Sequence, residues 1–244
     1  MPQTLVVLFS IALVVLCTLA VRHHGRTSWR PFFIGAAVMV VASSLGSFIG
    51  GFIGGLIGGF IRIGLPHALS GAPELLRVLG KLTAWSILLF TAASEDVGRA
   101  IALWRRPMPI SEALMFGTGF GGIEVLFRAG KILVAGSASG LDSNTIAALC
   151  TIVMVGEVFV FHVAMTVIVA SEYRRGTRFF PVMIVAVSYH VGLDFVGVRL
   201  AMTDPSLVHE AIFWTAITPV HTLLAWQAAR GGGRYKNAVS FGSG

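Results

Sequence analysis

Residues 34–61 read IGAAVMVVASSLGSFIGGFIGGLIGGFI, and no position in the run is charged. A helix crosses a bilayer with about 20 consecutive apolar residues, so this stretch places at least part of the chain in lipid. A water-facing helix of that length would show one apolar stripe and one polar face. Within the run, Gly46, Gly50, Gly54 and Gly58 recur at four-residue steps, beside a second row at Gly51, Gly55 and Gly59. Small residues at that spacing let a neighbouring helix approach closely, either inside the chain or between two copies. A phosphate loop is excluded, because no Lys-Ser or Lys-Thr follows the glycines.

The remainder of the chain extends this reading. Of its 244 residues 55% are hydrophobic and only 12% charged, with a mean hydropathy of +0.83. Ordinary soluble domains carry about 25% charged residues, which excludes a soluble globular class. Apolar windows predict helices at 4–21, 34–61, 75–94, 111–128, 145–170, 180–200 and 208–228, an all-α polytopic transmembrane bundle of about seven spans. The run from Leu5 to Val21 has no basic stretch before it and no small-residue cleavage site after it, so it reads as a retained span. Residues 1–230 form one transmembrane domain, and the Gly-rich segment 231–244 is expected to be a disordered cytoplasmic tail.

The net charge of +7 follows from where the cations lie. Arg22, Arg26, Arg30, Arg99, Arg105, Arg106, Arg174, Arg175, Arg178, Arg230, Arg234 and Lys236 fall on one side of the predicted spans. Arg62, Arg77, Lys81, Arg128, Lys131 and Arg199 fall on the other. Twelve against six puts the N-terminus outside and the C-terminus in the cytoplasm of a cell (plasma) membrane. Membrane orientation therefore accounts for the cations, and nucleic acid is not an expected partner. Cys17 and Cys150 sit in apolar runs without the spacing of a zinc site or an exposed disulfide.

In such a chain the informative residues are the ionisable ones, because a charge at the bilayer centre costs about 2.5–3.5 kcal/mol even on the mildest scale. Glu95, Asp96 and Arg99 follow the third predicted span; Glu124 and Arg128 are on the fourth; Glu157 and His162 on the fifth; His190 and Asp194 on the sixth; His221 on the seventh. Glu95 and Arg99 are four apart, so the guanidinium can hold that carboxylate. Glu124 with Arg128, and His190 with Asp194, share the same spacing and thus one helix face each. Glu157 and His162 are five apart, about 140° around a helix, so only one of them is central. His221, close behind Pro219, reads as a helix–helix hydrogen-bonding group. Each pair alone could be an ion pair that ends a span. Acids and imidazoles from several spans are together what water activation inside a membrane requires.

Three segments carry a resemblance. Ser94-Glu95-Asp96-Val97-Gly98-Arg99, then Phe116-Gly117-Thr118-Gly119-Phe120-Gly121-Gly122-Ile123-Glu124, then His190-Val191-Gly192-Leu193-Asp194 resemble, in order, the motifs of the YhfC-type glutamic intramembrane proteases, grouped with the PrsW and CAAX-processing (CPBP) proteases. The resemblance covers roughly residues 34–200. It implies that the family's acidic pair falls on Glu95 and Asp96 with Arg99 as the basic residue, Asp standing where Glu is usual. It implies that the Gly-rich second motif falls on Gly117 to Glu124. There Phe120 replaces the histidine usual in YhfC-like chains and matches the PrsW-like pattern of Phe followed by a needed Glu. His190 and Asp194 fall on the third motif, and His162 is the candidate to replace the missing histidine.

The expected function is an intramembrane endopeptidase that hydrolyses a membrane-anchored or hydrophobic protein or lipidated peptide. Glu95 or Glu124 would take the proton of the attacking water, and His190, oriented by Asp194, would donate to the oxyanion. Gly121 and the glycines around it leave room for substrate backbone or for a neighbouring helix. No cofactor is expected. A zinc site of Glu124, His162 and His190 is the weaker alternative, because the chain has no His-Glu-x-x-His helix. The rival readings are an inactive relative serving as a scaffold, motivated by Phe120 and Asp96, and a small transporter, although no internal repeat is present. An oligomer through Gly46, Gly50, Gly54 and Gly58 is a further expectation.

Overall fold

A helix satisfies every backbone N–H and C=O inside one segment, and a chain this poor in polar side chains adopts it throughout. The structure is a computed structural model that describes residues 2–64, 73–135, 145–203 and 207–239. Among these are seven helices: α1 Pro2–Gly25, α2 Arg30–Gly64, α3 Pro73–Arg105, α4 Ile110–Ala135, α5 Thr145–Arg174, α6 Phe179–Thr203 and α7 Leu207–Val239. The all-helical expectation holds, with no strand among the described residues. Five helices contain stretches long and apolar enough to cross a membrane: Gln3–Gly25, Arg30–Phe60, Ile110–Lys131, Ala148–Arg174 and Phe179–Gly197. α3 and α7 are as long as the others, and in α3 it is the charged residues that lower the apolarity.

Two predicted boundaries are corrected. α3 runs without a break to Arg105, so Glu95, Asp96 and Arg99 lie within a helix and not at the start of a loop. The triple is paired inside the bundle, as shown below, and has no need of interfacial water. At the C-terminus α7 stays helical to Val239, past the point where a disordered tail was expected to begin at 231. Residues 240–244 of that tail lie outside the described residues.

The glycine row of α2 faces inward. A Cβ at Gly50 would stand 2.6 Å from Ile87 Cα, one at Gly54 would stand 2.9 Å from Thr83 Cα, and one at Gly46 would meet Phe90, Thr91 and Ser94. Rising numbers on α2 thus meet falling numbers on α3, so the two pack antiparallel at close range, the most extensive helix contact in the molecule. This corrects the expected oligomer face: three of its four glycines are used within the chain. A Cβ at Gly58, or in the neighbouring row at Gly51, Gly55 or Gly59, would meet nothing within 4 Å among the described residues.

The second glycine cluster does the same for α4. Gly119 abuts the Phe32 carbonyl of α2, Gly117 abuts Val163 and Thr166 of α5, Gly121 abuts His162 and Phe159, and Gly122 abuts Val14 of α1. These glycines make room for neighbouring helices and not for a substrate backbone. The core lies around α4, where Phe116 and Phe120 are fully buried with Leu103, Met108 and Met115. Leu8, Leu16, Phe48, Phe60 and Phe180 point outward, as a lipid-facing surface requires. Polar side chains in the helices return to their own backbone: Ser10 donates to the Val6 carbonyl at 2.8 Å and Thr166 to the His162 carbonyl at 2.7 Å.

Candidate active site

Arg99 on α3 is fully buried, and its surroundings explain how a cation can stand there. It donates to Asp96 Oδ1 at 2.6 Å and to His162 Nδ1 at 2.5 Å, and its guanidinium lies 4.4 Å from the centroid of the Phe120 ring. A carboxylate, an imidazole and an aromatic face thus replace water on three sides. The predicted Glu95–Arg99 pair is corrected. The guanidinium turns to the acid three residues back, and Glu95 instead accepts a 2.7 Å hydrogen bond from Ser43 Oγ of α2 on its Oε1.

An arginine can only donate, so His162 Nδ1 accepts and the ring proton sits on Nε2. That nitrogen faces Glu124 Oε2, which brings α4 and α5 together. Glu124 Oε1 also accepts two bonds from Arg128, at 2.8 and 2.6 Å, as the four-residue spacing predicted. His190 on α6 donates from Nδ1 to Asp96 Oδ2 at 3.1 Å. Its Nε2 is 3.8 Å from Asp194 Oδ2, too long for a hydrogen bond. Asp96 therefore orients His190, a role the sequence assigned to Asp194. Arg99, Asp96 and His190 form one chain of contacts, and Arg99, His162, Glu124 and Arg128 form another.

The two chains border one cavity of about 770 Å³. Glu95, Glu124, His190 and Asp194 line it, together with Ser43, Arg128 and Lys131. Asp96, Arg99, His162 and Phe120 lie behind this wall and brace it. The cavity extends from Glu95 back to Ala84 on α3, from Ser43 to Ser47 on α2 and from Glu124 to Lys131 on α4. It therefore opens toward the end of the bundle where α2 leads into α3, away from the 105–110 connection.

Every residue named from the sequence thus has a definite place. Glu95, Asp96, Glu124, His162, His190 and Asp194 converge from α3, α4, α5 and α6. Glu157 stands apart from them, and its buried oxygen has no hydrogen-bond partner. His221 bonds Tyr189 Oη at 2.7 Å, tying α7 to α6. Ser43 and the bracing role of Phe120 were not foreseen. A serine in an apolar helix gives no sequence signal that separates it from Ser44 or Ser47. Phe120 was read as a missing histidine, and it serves as the aromatic face under Arg99.

Glu95, His162 and His190 each place one ligand atom within 4.8 Å of the others, a trio that differs from the expected Glu124, His162 and His190. Zinc binds an imidazole nitrogen through its lone pair. His162 has its lone pair on Arg99, so it could ligate a metal through Nδ1 only by giving up that contact. His190 has Nε2 outside its bond to Asp96, and Glu95 has a single hydrogen bond among the described residues. No family model matches this chain, and neither does any curated protein or solved structure.

Proposed function

We propose that this chain is an intramembrane endopeptidase that cleaves a peptide bond of a membrane-anchored protein by carboxylate-activated water. The observation that carries the reading is the convergence of Glu95, Glu124, Asp194 and His190 from three helices on one cavity, with Asp96 and His162 buried behind them. Buried ionisable groups in membrane helices are costly and mark functional sites by default. The order of the three motif segments, which resembles that of the YhfC- and PrsW-type proteases, supports the same reading.

The pairing assigns the roles. Glu124 faces Arg128 with one oxygen and His162 with the other, whereas Glu95 is held on one oxygen by Ser43. Glu95 is thus the general base: it takes a proton from water as the oxygen attacks the scissile carbonyl, and returns it to the departing amine. His190, fixed at Nδ1 by Asp96, offers Nε2–H in its protonated form to the developing oxyanion. Asp194, beside that nitrogen, balances the charge. With the cation-rich side taken as cytoplasmic, the C-terminus lies on the inner side of a plasma membrane and the cavity opens toward the outer face.

The test is cleavage by purified protein in lipid nanodiscs. Glu95→Gln keeps the shape and a hydrogen-bonding oxygen but removes the base, and should slow cleavage by about 10²–10⁴-fold. His190→Ala should slow it by about 10²–10³-fold. Cleavage that survives both substitutions in folded protein overturns the site. If wild type never cleaves, yet both variants still assemble with a cellular partner, the scaffold reading replaces this one.

A further inference from the structure

Beside the reaction cavity lies a second, apolar cleft of about 240 Å³ between α3 and α6. Its outer wall is made by Leu82, Trp85 and Leu89 of α3 and Phe195 of α6. Leu82, Leu89 and Phe195 are 44%, 45% and 54% exposed, so the cleft opens on the lipid-facing surface. The Trp85 and Phe195 rings meet across it, with centroids 5.1 Å apart. At its inner end Leu88, Ala92 and Asp194 line both this cleft and the reaction cavity. Lipid and reaction centre are thus joined by one short apolar passage whose inner end is the Asp194 carboxylate.

The width of the passage decides what it can take. A helix with its side chains is about 10–12 Å across. The cleft, with the Trp85 and Phe195 rings in contact across it, has no opening as wide as that helix. It can hold a single large apolar side chain on an extended backbone. The chain that carries that side chain must continue into the neighbouring cavity, where Glu95 and His190 stand. We infer that this cleft is the specificity pocket of the protease, seating one bulky apolar residue of an unwound membrane-anchored substrate beside the scissile bond. The inference rests on the proposed peptidase reading and adds its substrate class. The Ser86 hydroxyl in the wall is spent on the Leu82 carbonyl, the rest of the wall is apolar, and Asp194 at the inner end disfavours an acidic residue.

Two measurements test it separately from the reading it rests on. In the first, Glu95→Gln protein in nanodiscs is photolysed with a lysine-flanked membrane peptide of about 20 apolar residues, bearing photo-leucine near one end of the apolar stretch. Cross-links on residues 82–89 and 191–195 support the pocket. Cross-links found only elsewhere overturn it, as does loss of this label to a free isoprenoid alcohol, which would make a lipid chain the occupant. In the second, wild type, Trp85→Ala and Leu89→Trp are compared on peptides with Ala, Phe or Trp at the position preferred for cleavage. Wild type should favour Phe over Ala by about tenfold or more. Leu89→Trp should reverse that ratio by narrowing the cleft, and Trp85→Ala should shift preference from Phe to Trp by widening it. Unchanged ratios overturn the pocket while leaving the peptidase reading intact. Cleavage that persists in Glu95→Gln overturns the proposed mechanism while the cross-links still decide the pocket.

Discussion

Arg99 shows how one residue can be both a cost and a constraint. Its charge is out of water, and it is compensated by Asp96, His162 and the Phe120 ring. Removing one partner of a buried pair typically costs about 3–5 kcal/mol, because the other charge is left alone. Arg99→Leu should therefore lower thermal stability in detergent by that amount, since Asp96 keeps its charge and His162 Nδ1 loses its donor. The double variant Arg99→Leu/Asp96→Asn should recover part of the loss, with coupling of about 0.5–3 kcal/mol between the two sites. Additive losses from the two single changes would show that the pair is not energetically linked. Glu95 is set by a different residue altogether: Ser43 Oγ fixes one carboxylate oxygen from the neighbouring helix.

At the scale of elements, the contact between α2 and α3 determines where Glu95 stands. Gly50 lets α3 approach until a Cβ would be 2.6 Å from both Ile87 Cα and the Ser86 carbonyl. These are backbone atoms, and no side-chain rotation relieves the clash, so Gly50→Ala forces the two helices apart. Overpacking of this kind costs about 1–3 kcal/mol, and it also pulls Ser43 away from Glu95. Gly51→Ala, one residue on, meets nothing within 4 Å and serves as the control. The expected result is a lower melting temperature and lost activity for Gly50→Ala, with neither for Gly51→Ala. Equal damage from both would mean that the open row is also covered, for instance by a second copy, which size-exclusion chromatography would reveal. α5 ends by ordinary capping: Gly176 turns with φ 81° and Thr177 N–H reaches the Glu172 carbonyl at 3.1 Å.

The whole molecule is a bundle whose orientation rests on charge asymmetry, and the structure revises the count. Arg99 is buried, and Arg128 pairs with Glu124 at the cavity wall, so neither is a loop cation. Removing both leaves eleven basic residues against five, and the asymmetry survives. A reporter fused after Gly244 should be active in the cytoplasm, and one placed before Met1 should be active outside. The reverse result would turn the cavity mouth to the cytoplasm and place substrate access on that side. The mouth faces the end where α2 leads into α3, although the position of the acids after the third predicted span pointed to the opposite end. α3 continues as a helix to Arg105, which carries the acids into the middle of the bundle.

Composition and periodicity by themselves determined that the chain is helical, built for lipid and divided into seven segments. Backbone hydrogen bonding in an apolar medium allows a chain of this kind little else. Spacing within one helix also identified real partners: Glu124 with Arg128, and His190 near Asp194. Only tertiary structure decided which acid Arg99 takes, which acid orients His190, and that Ser43 belongs to the site, because each of these depends on distances between residues far apart in the chain. It also decided that Gly46, Gly50 and Gly54 serve a neighbouring helix of the same chain and that Phe120 braces a cation. Sequence spacing fixes which side chains share a face of one helix. Which face meets which neighbour is set by close packing among all seven, and that information is present in no single segment.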